Sequence, residues 1–424
     1  MRRFVLQFNL ACTACVALFS SAAAQEPAAQ QQAEALRVFL DCQTFWCDFD
    51  HFRREIPFVN WMRDRQDAQV HILGTAQRTG GGGREHTLAF IGLEEFGGRT
   101  DTLVYVSSAD DTEAEIRDGL VRTVMLGLVP YVAGTPIAER LAITYQAPAV
   151  AVPAGPVDDP WDYWVFRVRG GGNVSGESQR RRYSVNGSLS ANRTTEGFKI
   201  SIWANGRYSR SELEIPELDT TIIDSRRNYS IRGLSVWSLG PRWSAGVHGS
   251  LTASTFVNQD LVIRAGPAIE HNIFPYSVST RRLLTLLYTI GVAAFKYEEE
   301  TIFDKTSEVR PIHNLELSLE VQQPWGEIDA SLEGSQFLHD LSKHRIDLFG
   351  GFQVRLFRGL NFNAFGNVAR VKDQLFLSKA GLTPEDILLS RRAQGTDFQY
   401  WVNFGFSYRF GSKFNNIVNP RMEN

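Results

Sequence analysis

Past Gln25 the chain has no stretch of roughly 18–20 consecutive apolar residues, the length a helix needs to cross a bilayer. Leu283–Phe295 comes nearest, but it is too short, and Thr285 and Thr289 suit a strand better. Membrane insertion, if it happens, must then go through a closed sheet, because lipid satisfies no backbone polar groups. Charge of one sign is also missing. Lys and Arg number 44 against 47 Asp and Glu, a net of -3. That balance excludes a basic surface for nucleic acid and an acidic tail. Cysteine is scarce: four residues, of which Cys12 and Cys15 lie near the N-terminus without a small-residue lipobox before them. Cys42 and Cys47 have no second Cys or His pair with them, so a zinc site of the usual spacing is excluded. An exported location permits a disulfide between them, closing a small loop; the other reading is two buried free thiols.

What is present points outward from the cell. Arg2 and Arg3, the apolar run Phe4–Phe19 and the small residues Ala22-Ala23-Ala24 make a signal peptide, residues 1–24. Residues 25–33 are a Gln/Ala-rich spacer. Residues 34–145 read as an α+β domain. Strands are expected at Leu36–Leu40, Val70–Gln77, Thr87–Leu93, Thr102–Ser107 and Arg140–Tyr145. Asp48 caps a short helix that Pro57 stops, and Thr112 with Glu115 forms a capping box for a helix running to Tyr131. The glycine run Gly80–Gly83 is followed by Arg84-Glu85-His86 and a strand, not by Gly-Lys-Ser/Thr and a helix. It therefore reads as a hairpin loop rather than a phosphate cradle.

Asp67-Ala68-Gln69-Val70-His71-Ile72, the hairpin strand Thr87–Leu93 and the helix Arg117–Tyr131 follow one another in an order that resembles the small periplasmic α+β domain of the Tol-system propeller protein and of the curli-secretion lipoproteins. The cysteine pair and the glycine loop depart from those families. The resemblance implies docking or assembly, with a periplasmic envelope protein as partner, rather than catalysis.

Residues 146–160 (QAPAVAVPAGPVDDP) form a Pro/Ala linker. Beyond it, twelve long alternating segments run from Tyr163–Asn173 to Phe398–Phe410, each long enough to cross about 25–30 Å at a tilt. Their connections alternate between tight turns, such as Glu196-Gly197 and Gly240-Pro241, and longer loops, such as Glu212–Asn228, Glu298–Ile312 and Asp373–Asp397. The pattern resembles a bacterial outer-membrane β-barrel, residues 161–410. The fold class expected is an all-β transmembrane barrel of about 12 antiparallel strands behind a small α+β periplasmic domain. Lipids of the outer membrane and the barrel-assembly machinery are the partners this implies. The last strand, QYWVNFGFSYRF, resembles the signal that machinery reads. Residues 411–424 continue past it as a polar periplasmic tail whose deletion should leave the barrel intact.

With apolar residues placed outward, the inward set is polar. Strands eight to ten contribute Glu316, Glu320, Asp329, Glu333 and Asp347; the first three strands and the last contribute Arg167, Arg169, Lys199, Arg207 and Arg409. If first and last strands are neighbours, the basic wall is contiguous and faces an acidic one. Either the walls set a transverse field across a narrow pore, or long side chains reach across and close it. Two pairs suggest hydrolase chemistry. His248 and Ser250 share a strand face but stand about 6–7 Å apart, and His339-Asp340 sits in a loop; both read as ordinary polar positions. No enzyme activity, cofactor or metal is expected. The function expected is a narrow porin-like channel for small polar solutes with a periplasmic docking domain; the alternative is a non-conducting barrel that anchors that domain.

Overall fold

The computed structural model describes residues 35–42, 47–144, 159–216, 219–381, 383, 392–414, 416, 418–419 and 421. The signal peptide, the spacer and most of the linker lie outside these residues.

The N-terminal part is a five-stranded sheet with one long helix on one face. Its elements are β1 (Arg37–Cys42), α1 (Phe49–Glu55), β2 (Asn60–Trp61), β3 (Val70–Arg78), β4 (Arg84–Gly92), β5 (Thr100–Ser107) and α2 (Glu113–Val132), and the sheet order is β2-β1-β3-β4-β5. β1 runs parallel to β2 and β3; the β3–β4–β5 meander is antiparallel. Asp48 caps α1 by accepting from the His51 amide, and Thr112 and Glu115 close the capping box of α2. Leu120, Val124, Leu128 and Tyr131 on α2 bury against Val70, Ile72 and Phe90. Gly127 permits the close approach: a Cβ there would stand 2.0 Å from the Phe90 ring. Cys42 and Cys47 form a disulfide with Cα atoms 6.1 Å apart.

One expected strand is wrong. Pro136–Arg140 is a 3-10 turn, residues 141–144 carry no regular structure, and Ile143 is 72% exposed. The edge beside β1 is taken instead by the two-residue β2, which was too short to show a period.

The second part is a twelve-stranded antiparallel meander, β6 to β17, each strand paired with its chain neighbours. Its strands are β6 (Trp164–Gly176), β7 (Arg180–Thr194), β8 (Phe198–Ile215), β9 (Thr220–Ser238), β10 (Trp243–Ser254) and β11 (Gln259–Asn272). They continue as β12 (Arg282–Tyr297), β13 (Ser307–Gln323), β14 (Gly326–Phe337), β15 (His344–Phe357), β16 (Leu360–Val371) and β17 (Phe398–Tyr408). The loop expected at Glu212–Asn228 is mostly ladder: β8 and β9 stay paired out to Ile215 opposite Thr220. The polar residues there hid the strand, because alternation is lost where both faces are wet.

The register sorts the faces. Val168, Leu189, Ala204, Ile231, Leu251, Ile263, Ala294 and Val309 are successive partners across β6 to β13. Leu286, Leu317, Leu332, Leu348, Val368 and Tyr400 continue such a row from β12 to β17. In these two rows Leu189 is 55% exposed, Ile231 47%, Leu332 44% and Leu348 48%, so the apolar face points out of the molecule.

The sheet is curled. The N-terminal domain touches β6 through Gly82, whose carbonyl accepts from Arg167, and β15 through Asp41, which pairs with Arg355. Those strands are nine steps apart in the sheet, roughly 43 Å if it were flat. The two domain contacts are separated by about seven residues of the β3–β4 hairpin, roughly 23 Å. Among the described residues no ladder joins β6 to β17. The basic wall is therefore not contiguous through β17 as expected.

Candidate functional site: a polar inner face with contacts at both ends

The inner face carries charge in rows. Glu316, Glu333 and Asp347 are direct partners across β13, β14 and β15, and Glu320 lies opposite Asp329. Alternation alone had brought these five to one wall. On the other side, Arg167 belongs to a row that continues through Ser190, Trp203, Arg232, Ser250 and Arg264 to Ala293 and Arg310. Arg169 lies in the adjacent row with Ser188, Asn205 and Ser230. Arg207 and Lys199 face inward from β8, and Arg182 and Arg226 join Arg207 around a cavity of about 370 Å³. Arg232, Arg264, Arg310, Arg182 and Arg226 were missed, although Ile231 and Ile263 beside them gave the same alternation signal. Arg409 stands apart from this wall: it follows β17 and lines the cavity beneath the N-terminal domain.

Three ion pairs on this face are made within single strands. Arg310 bonds Glu308 at 2.6 Å, Arg345 bonds Asp347 at 2.9 Å, and Arg226 bonds Asp224 at 2.9 Å. Each joins residues two apart, on one face of one strand. Ser250, half of the hydrolase-like pair, sits between Arg232 and Arg264 in the basic row. His339 stacks edge-on to Phe337, while Asp340 accepts from the Ser342 amide and hydroxyl. Among the described residues, no group of three or more His, Cys, Asp or Glu gathers around a metal-sized site.

At the end far from the N-terminal domain, the long β16–β17 connection folds inward. Leu375, 5% exposed, packs with Val262, Ala293, Phe295, Tyr297 and Phe337. The Asn258 amide donates to Phe376 O at 3.0 Å and Glu299 O at 3.1 Å, and Arg392 makes two bonds to Glu299, 2.6 and 2.9 Å. Thr301 bridges to Ser378. A loop rooted on β16 and β17 is thus tied to the connections of β10–β11 and β12–β13, across the opening. A cavity of about 310 Å³ lies beneath it, reached by His248, Arg264, Glu333 and Asp373.

At the other end the N-terminal domain covers the opening. The face of its sheet away from α2 is buried: His71, Leu73 and Thr75 are 0%, 1% and 4% exposed. Asp41 accepts from both Arg355 guanidinium nitrogens, at 2.6 and 2.5 Å, and from His71 at 3.1 Å. Arg355 also lies over the Phe39 ring, 5.2 Å from its centre. Burial alone would raise the Asp41 carboxyl, but the His71 and Arg355 hydrogen bonds and charges hold it below its ordinary value. Burial holds His71 below its own. Arg358 pairs with Asp67, and the Gly359 amide donates to Asp64. At the opposite rim, Gly80 leaves no room for a Cβ, which would stand 2.6 Å from Thr194.

The segment after β17 adds to this contact. Met62 and Phe414 form an antiparallel bridge, Arg63 N donates to Lys413 O at 3.0 Å, and Asn416 bonds Trp61 N and Asn60. Nothing in the sequence marked these contacts, because each joins residues more than 290 positions apart.

No protein-family model matches the chain, and no curated protein matches it. Solved structures with partial likeness include the NanC porin, at 9% identity and TM-score 0.28 over 57% of this chain and 99% of that one. Others are the translocator domain of the autotransporter NalP from Neisseria meningitidis (12%, 0.25, 58% and 87%) and the beta domain of the Bordetella autotransporter BrkA (10%, 0.24, 58% and 98%). At these values the fold assignment rests on the chain's own strand ladder: a twelve-stranded antiparallel barrel sheet behind a small α+β domain.

Proposed function

We propose that the chain is an outer-membrane β-barrel forming a narrow channel for small polar solutes, capped by its own periplasmic α+β domain. The observation that carries this is the inside-out distribution of the twelve strands: apolar rows face out of the molecule and charged rows face in. A charge at mid-bilayer on the outer face would cost about 2–4 kcal/mol, so this sheet suits lipid outside and water inside. Charged rows of opposite sign on the inner face, Glu316, Glu333 and Asp347 on one side and Arg167, Arg232 and Arg264 on the other, support a polar path. The role is non-catalytic; outer-membrane lipids surround the barrel, the barrel-assembly machinery inserts it, and the domain is the surface available to a periplasmic envelope protein.

In this reading the β16–β17 loop narrows one opening and the cap shuts the other. Removing one partner of a buried ion pair leaves the other charge uncompensated, at about 3–5 kcal/mol. Arg355→Ala should therefore unseat the cap. In planar bilayers the intact chain is expected to show rare, small openings, and Arg355→Ala frequent, larger ones. No conductance above background from either protein would sink the channel and leave the barrel as an anchor. In that case, capture of an envelope protein by residues 33–145 becomes the deciding test. Heat-modifiable migration on a gel checks the barrel itself.

A further inference from the structure

The cap and the barrel enclose a cavity of about 600 Å³ between them. That is within the range of small-molecule sites, roughly 300–1,000 Å³. Six guanidinium groups line it: Arg53, Arg63, Arg65, Arg355, Arg358 and Arg409. Three are committed, Arg53 to Asp50, Arg355 to Asp41 and Arg358 to Asp67. Among the described residues Arg63, Arg65 and Arg409 have no carboxylate partner, and Arg63 Nε is buried without any hydrogen bond. The nearest carboxylate in sequence, Asp64, is already engaged by the amides of Gln66 and Gly359. The remaining wall is mixed: Asn361, Asn363, Gln353 and Gln66 offer amides, Trp325 an exposed ring face, Phe39 and Leu356 apolar surface, and Glu327 one further carboxylate.

We infer that this cavity binds a small anionic solute, one carrying a carboxylate or phosphate on a hydroxylated ring. Unpaired guanidinium groups match carboxylate and phosphate with charge-assisted, two-pronged hydrogen bonds. The amides match hydroxyl groups, and the exposed Trp325 indole packs against a ring. The site takes Arg63 and Arg65 from the cap and Arg409, Asn361 and Asn363 from the barrel, so a bound anion ties the two together. This inference rests on the seated cap of the preceding reading, and it does not depend on conduction.

The test uses the full chain in detergent, with isothermal titration calorimetry as the readout. Glucuronate and glucose 6-phosphate are the probes, and glucose is the neutral control. Both anions should bind saturably, and glucose about tenfold more weakly or not at all. In the double variant Arg65→Gln/Arg409→Gln, anion affinity should fall about tenfold or more while any glucose binding is unchanged. Unequal response to the two anions identifies which headgroup the site takes. Equal binding of glucose and the anions, unchanged anion binding by the double variant, or no binding of either anion overturns the inference. A separate variant, Met62→Cys/Phe414→Cys, reports seating by forming a disulfide across the antiparallel bridge when oxidised glutathione is added, two thiols being oxidised as one glutathione disulfide is reduced to two glutathione thiols. If that bond fails to form, the cap reading falls and the site falls with it.

Discussion

The two parts of the chain use the same alternation of apolar and polar residues toward opposite ends. In the α+β domain the apolar residues turn inward, where eighteen of them form one buried cluster under α2. In the barrel sheet they turn outward, and the buried cluster there holds six side chains, gathered under the β16–β17 loop. Val70 and Leu348 both lie in strands, yet Val70 is fully buried and Leu348 is 48% exposed. The difference teaches that strand period alone says nothing about which face meets water. Strand length and the number of strands decide it, because long strands in a single curled sheet enclose a lumen and not a core.

The sharpest way to break this comparison is to remove apolar bulk from the domain. Phe90→Ala, at a fully buried ring packed on Gly127, should destabilise the domain by about 3–5 kcal/mol in urea unfolding followed by circular dichroism. An effect below about 1 kcal/mol would show that the α2 cluster is not a core. On the barrel the costly change is of the opposite kind. Leu348→Arg on the outer face should cost about 2–4 kcal/mol in refolding into lipid vesicles, whereas Ser331→Arg on the inner face should cost little. If the two variants refold alike, the faces have been assigned wrongly.

The disulfide separates the parts in a third way. Cys42→Ser/Cys47→Ser opens a small loop in the domain, worth about 2 kcal/mol by loop entropy. Domain unfolding should shift, and heat-modifiable migration of the barrel should not. The smallest effect concerns pH. His71 is depressed from its ordinary 6.5, with burial as the main cause, Arg355 and Arg65 adding and Asp41 opposing. Asp41 is depressed from 3.8 because His71 and Arg355 outweigh its burial. The unfolded chain therefore takes up these protons more readily, so stability is lost as pH falls. The loss begins below 6.5 through His71 and adds a second limb below 3.8 through Asp41. Domain stability in urea unfolding, followed across a pH series, should stay flat above neutrality and decline on acidification. His71→Gln should remove the first limb only; a rise on acidification would contradict the sign.

Much of the fold was legible because its signals are local. Thr112 and Glu115 mark the start of α2 three residues apart, and Tyr400 to Phe410 mark the last strand at every second position. β2 escaped because two residues carry no period, and the strand expected at Arg140–Tyr145 failed because apolar composition does not by itself set strand pairing. The inward charges were legible on strands where they alternate with apolar neighbours, as Glu316 and Glu320 do. The cavity under the cap was not: Arg63, Arg65 and Arg409 belong to irregular segments on two different bodies.

By itself the sequence determined that residues 161–410 form long antiparallel strands with one apolar and one polar face, and that an α+β domain precedes them. Those properties follow from period, turn chemistry and capping, all set within a few residues. Only the tertiary structure decided that the domain sits over the lumen, that the β16–β17 loop folds into the opposite opening, and that the segment after β17 returns to bridge Met62. Each of these rests on partners far apart in the chain, such as Asp41 and Arg355 or Glu299 and Arg392, whose meeting depends on how the sheet curls and not on any local preference of the chain.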